Sequence, residues 1–153
     1  MNKILALPAS ESRDLTSLAA RLALGIVLFP HGAQKLLGWF GGFGYQASME
    51  YFTKTVGLPA IIGFAVIVIE FAMPILLVLG WFTRISALLI LVIMVGIIIT
   101  VQHDYFFMNW FGMQKGEGME FFLLAIGLSI VCFLQGAGKY GIDYCTKMKN
   151  HEK

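Results

Sequence analysis

A chain of 153 residues that is 58% hydrophobic and only 13% charged is not an ordinary soluble domain, because such domains carry about a quarter charged residues. Its formal charge of +2 argues against a nucleic-acid surface. Its two cysteines, Cys132 and Cys145, fit neither a disulfide framework nor a zinc spacing.

The apolar excess is gathered in four segments, 15–37, 60–82, 85–101 and 119–135, each near the ~17–25 residues that cross a bilayer. The pattern predicts an all-α integral membrane protein, a four-transmembrane-helix bundle in one domain (15–143). A short segment (1–14) precedes it and a basic tail (144–153) follows. The first apolar run is too long for a signal-peptide core and no small-residue cleavage site follows it, so it is expected to be retained.

In chain order, residues 1–14 read as a polar lead-in, with Asp14 or Thr16 available to cap the first helix. Pro30 falls inside that helix and withdraws an N–H from the carbonyl of Ile26, which predicts a bend. His31, Gln34 and Lys35 follow at i, i+3, i+4 spacing and are expected to share a face. The run Gly38–Tyr45 is too rich in glycine to continue the helix. Residues 46–55 then place Met49, Phe52 and Val56 at helical spacing, with Glu50 and Lys54 as an i,i+4 pair. That stretch predicts a short amphipathic helix lying at the membrane interface.

The second span opens after Pro59 and carries Glu70 near its centre, with Pro74 four residues later. The third span is aliphatic and uncharged, and ends at His103 and an aromatic run, 105–111, suited to the interface. Glu120 heads the fourth. Four spans put both termini on one side, together with Lys3, Arg13, Arg21, Arg84, Lys139, Lys147, Lys149 and Lys153. Only Lys35, Lys54 and Lys115 are left for the other side. Eight of 11 basic residues on the terminal side predict an N-in, C-in topology in the cytoplasmic (inner) membrane of a bacterial-type cell.

An ionised carboxylate alone at the bilayer centre costs ~2.5–3.5 kcal/mol on insertion scales. Glu70 is therefore expected to be protonated, paired, or facing a wet cavity. A normal helical rise puts His31 ~8 Å and Lys35 ~14 Å outward of the first span's centre, and Arg21 ~8 Å inward. Both long cations can reach back toward Glu70. With His103 and Glu120 at the outer ends of the last two spans, the ionisable groups predict a polar pocket opening outward.

Each residue also has a plain structural reading. Glu70 as a packing ion pair, Lys35 as a snorkelling cation, Arg21 and Arg84 as interfacial anchors, and His103 and Glu120 as ordinary interfacial polarity all stay open. Cys132 reads as a small buried hydrophobe. No helix carries paired metal ligands, and His31 and His103 are the only membrane-level histidine pair, so neither metal nor haem is expected. Nucleotide loops and nucleophile triads are missing.

The ordered set Arg21-x3-Gly25, His31-Gly32-x-Gln34-Lys35-Leu36, Glu70, Gly80-x2-Thr83-Arg84, Glu120 and Gly136-x-Gly138-x-Tyr140-x-x-Asp143 resembles the DoxX family of small four-helix membrane proteins. It does so over residues 15–143, with Gly141 where many members have serine. The family's namesake is similar to a small subunit of an archaeal thiosulfate:quinone oxidoreductase, and other members are linked to quinone or thiol stress. The resemblance therefore implies a quinone-linked redox protein or subunit. Glu70 and His31 would be its catalytic groups, and Gln34, Lys35, His103, Glu120 and Arg21 its quinone-binding groups. Donors such as His31 or Lys35 suit the ring carbonyls, and Glu70 suits proton movement. The expected partners are the bilayer, a quinone or other hydrophobic redox ligand, and a second copy or partner subunit packed at Gly96 and Gly127. The alternatives are a non-catalytic scaffold of a redox or stress complex, or a small-molecule or proton carrier, although no inverted repeat supports the carrier.

Overall fold

The computed structural model describes residues 8–151; Lys3 and Lys153, which entered the charge count, lie outside them, as does the Lys149 side chain. The described residues form α1 (Ala9–Leu37), a 3₁₀ turn (Trp39–Gly41), α2 (Gly44–Glu50) running on into a π-helical turn (Tyr51–Thr55), α3 (Ala60–Leu79), α4 (Thr83–Thr100), α5 (Glu120–Gln135) and α6 (Ile142–His151). No strand occurs among them. α1, α3 and α4 are long and apolar enough to cross a membrane, and α5 is a shorter apolar helix.

The helix bounds depart from the hydropathy reading in three places. α1 begins at Ala9 behind Pro8, without a side-chain cap. Neither expected cap serves there: Thr16 Oγ1 bonds back to the Ser12 carbonyl, and Asp14 Oδ1 accepts from the backbone N–H of Lys139. Residues 9–14 carry no apolar period, but proline pre-sets the backbone angle needed to enter a helix. α3 stops at Leu79 because Gly80 turns left-handed (φ 67°) and its N–H bonds back to Leu77. The tail is helical from Ile142. α1 continues through Pro30 as one helix.

α1 buries Ser17, Ala20, Arg21, Leu24, Gly25, Leu28 and Gly32, a stripe at three- and four-residue intervals that faces the other helices. It packs on α3 and α5, and α4 completes the bundle against the same two. Two glycines set the α1–α3 approach. A Cβ at Gly25 would lie 2.8 Å from the carbonyl of Pro74, and one at Gly32 would overlap the carbonyl of Glu70. That carbonyl is the one Pro74 leaves without a helical donor, so the helices touch where the α3 ladder is interrupted. Leu24, Leu28, Leu77, Ile90, Met94 and Cys132 fill the core, while Ile61, Ile99, Leu124 and Leu134 point outward. An apolar jacket around a partly polar interior is what a bilayer solvent selects.

Candidate functional site

Past Leu37 the chain turns at Gly38 (φ 73°), and the glycine-rich link folds back over the last turn of α1. The fold-back is tight: a Cβ on Gly42 would lie 2.5 Å from Gln34 Cα. α2 and its π turn then cross the end of the bundle, and Phe52 plugs in against Gly63 of α3, where a Cβ would stand 3.1 Å from Phe52 Cβ. Gln34, Lys35, Gly42, Ser48, Tyr51 and Phe52 are among the residues enclosing a cavity of about 350 Å³.

Lys35 runs from that cavity to Glu70, with Nζ 2.8 Å from Oε2. The Lys35 side chain is 30% exposed and that of Glu70 only 7%. A lysine at the end of a helix points its stem back toward the preceding turns, so the ammonium reaches inward. At that distance the contact is a close, charge-assisted ion pair. Gln34 Nε2 bonds the Phe40 carbonyl at 3.2 Å, which fixes its amide at the cavity wall.

The other predicted residues lie apart. His31 is exposed on α1 and its ring sits 5.9 Å from that of Phe121 on α5. His103 is exposed beyond α4, 3.4 Å from Asp104. Glu120 Oε1 accepts from the Met108 N–H and the Trp110 indole N–H, ordering the 101–119 link. Arg21 stands at the opposite end of the bundle, 0% exposed. There it donates to the carbonyls of Leu77 (2.9 Å), Val78 (3.2 Å) and Tyr140 (3.4 Å). The structure thus joins Lys35 to Glu70, sets Gln34 beside Lys35 on the cavity wall, and leaves His31, His103, Glu120 and Arg21 elsewhere.

A larger cavity of about 490 Å³ lies at the Arg21 end, beside Thr83, Arg84 and Asp143. Asp143 and Arg84 on its wall are already engaged, and its other charged residue, Lys147, is an exposed lysine of α6. Asp143 accepts from the N–H groups of Phe82 (2.8 Å) and Thr83 (3.0 Å), capping α4 from a distance. Arg84 donates to the Leu134 carbonyl. Chemistry, not size, therefore selects the Lys35–Glu70 cavity. No three His, Cys, Asp or Glu side chains gather for a metal among the described residues.

Sequence reasoning missed Ser48, Tyr51 and Phe52 as cavity walls. The available signal was Gly63, a glycine in the first turn of a membrane span where an aromatic side chain can seat.

The family model described as DoxX matches residues 16–103. The chain is 28% identical over 134 residues to "Putative oxidoreductase CatD" of Bacillus subtilis (strain 168), covering 88% of this chain and 89% of that protein. It is 26% identical over 146 residues to Inner membrane protein YphA of Escherichia coli (strain K12), covering 94% and 99%. No solved structure matches the chain significantly.

Proposed function

The chain belongs to the DoxX family, and on that premise we propose that it is a four-span inner-membrane protein, N-in and C-in, that binds a quinone at the Lys35–Glu70 cavity as part of a redox reaction. The observation that carries this reading is the buried Glu70 carboxylate, ion-paired at 2.8 Å to a lysine that also lines the cavity. The name of the Bacillus subtilis relative points the same way.

The residues present fit a quinone ring. Lys35 supplies a charged donor for one ring carbonyl, Gln34 an amide held in place by Phe40, and Tyr51 and Phe52 aromatic walls. A bound quinone supplies the acceptor for two electrons and two protons. Lys35 orients the ring and stabilises negative charge developing on its oxygen. Glu70 fixes the Lys35 ammonium beside the cavity, in place for the ring, and moves a proton with the electrons. The electrons come from a thiol or sulfur-oxyanion donor, or from a partner subunit. His31, near Phe121, is a candidate for relaying protons to the surface.

One observation favours a second reading as scaffold. Glu117 and Glu120 brace the 101–119 link by accepting from its backbone N–H groups, yet that link presents Trp110, Phe111 and Met113 outward, a surface suited to a partner protein. Turnover separates the two. In the redox reading, purified protein reduces a soluble quinone analogue with thiosulfate or a thiol, and Glu70→Gln abolishes the rate. In the scaffold reading there is no turnover, and a partner co-purifies until Phe111→Ser is introduced.

A further inference from the structure

A third cavity, of about 400 Å³, lies between α3 and α4. Its walls include Ile62, Val66, Ile69, Val92, Ile93 and Gly96. The one hydroxyl on its wall, that of Thr100, donates to the Gly96 carbonyl at 2.8 Å and is not free for a ligand. At the rim, Ile61 and Val92 face outward, 74% and 58% exposed, so the groove opens sideways toward lipid. Phe52 lines both this groove and the Lys35 cavity. A polar chamber and an apolar groove thus share one buried aromatic wall.

From this adjacency we infer that the ligand is a single amphiphile, a quinone bearing a long hydrocarbon chain, with its ring at Lys35 and its chain in the α3–α4 groove around Phe52. The inference rests on the quinone reading above and narrows it to a lipid-tailed quinone that enters from the bilayer. The division of chemistry fixes the orientation. The groove offers no free donor for a ring carbonyl, and burying a carbonyl without a donor is unfavourable. The Lys35 cavity supplies donors. Chain burial contributes affinity roughly in proportion to the methylenes covered, so the groove favours long-chain over chainless rings.

Gly96 makes the test clean, because a Cβ there meets nothing within 4 Å. Gly96→Leu therefore adds bulk to the groove wall from a position where its first side-chain carbon meets no neighbour. The full-length protein in lipid nanodiscs is titrated with dimethoxy-methyl-benzoquinone lacking a side chain and with the same ring carrying a decyl chain. The expected result is that Gly96→Leu weakens the decyl compound by about tenfold, equivalent to losing contact over roughly two methylenes. Binding of the chainless ring is unchanged, and Lys35→Met weakens both. Ala65→Leu, entering from the α3 wall, reproduces the effect and guards against a folding defect in the first variant. If both groove variants hold the decyl compound within twofold of wild type while the chainless ring still binds, the inference is overturned and the quinone reading survives. A change of oligomeric state in Gly96→Leu with decyl affinity unaltered overturns it in favour of a second copy in the groove. If neither compound binds the folded wild type, the quinone reading fails and the inference with it.

Discussion

The two ends of the helix bundle treat their buried cations in opposite ways. At the terminal end Arg21 is enclosed, and its guanidinium donates to three carbonyls from α3 and the 136–141 segment. Around it Ser17 Oγ donates to the Gly136 carbonyl, Asp14 accepts from Lys139 N–H, and Asp143 caps α4. Apart from the long Lys139–Asp14 ion pair (3.9 Å), the long-range polar contacts there end on backbone. At the other end Lys35 meets a single side chain, Glu70, beside a cavity. A cation satisfied by fixed carbonyls holds a structure together. One held by a single side chain beside a cavity can also be presented to a ligand. The first end is a clasp and the second is a site.

The contrast is broken most severely at Arg21. Arg21→Met removes three charge-assisted hydrogen bonds and leaves the Leu77 carbonyl to the Gly80 N–H alone, so it should destabilise the protein by about 3–5 kcal/mol. The measurement is unfolding in mixed micelles, and a loss under about 1 kcal/mol would contradict the clasp. At the site the order of effects reverses. Glu70→Gln keeps shape and removes charge, so stability should change little while quinone binding falls at least about tenfold.

A smaller structural effect is expected at Gly32, where any Cβ meets the Glu70 carbonyl. Gly32→Ala should cost about 1–3 kcal/mol through overpacking and should weaken ligand binding, because α1 carries Lys35. A stability loss with unaltered binding would show that the α1–α3 spacing does not control the site. Smaller still, Asp143→Ala removes the long-range cap of α4 and should cost about 0.5–2 kcal/mol. That variant leaves the Lys35 cavity intact, so ligand affinity should stay at the wild-type value.

The topology has a native probe. Cys145 is exposed and Cys132 is buried, so a membrane-impermeant maleimide should label Cys145 in inside-out vesicles and not in right-side-out ones.

How much of this was legible in the sequence differs between the same two ends. A carboxylate near the middle of an apolar span has to be compensated, but Lys35 and Arg21 were both within reach, so solvation cost called for compensation without choosing the partner that the structure gives. Its neighbours misled. Gln34 and Lys35 lie about 100° apart around a helix axis, wide enough for Lys35 to meet α3 while Gln34 meets the link and His31 meets α5. Spacing along one helix says which side chains are adjacent, not which neighbour each one faces. The clasp was less legible still. Asp143 acts on residues about 60 positions earlier, and nothing local distinguishes it from a solvated tail carboxylate. The same holds for Arg21, whose place near a span end fits a headgroup anchor until Leu77, Val78 and Tyr140 are seen to surround it. The spans were the easy part, because the bilayer imposes a length and an apolarity that composition reports directly. Their ends were not, since Pro8 and Gly80 set them through backbone geometry.

The most direct test of the account is equilibrium binding of the decyl-chain quinone to the purified, folded protein, with Glu70→Gln and Arg21→Lys measured beside it. The account predicts saturable binding by wild type, loss in Glu70→Gln, and wild-type affinity in whatever fraction of Arg21→Lys folds. Saturable binding that persists in Glu70→Gln, or no binding by the folded wild type, would contradict it.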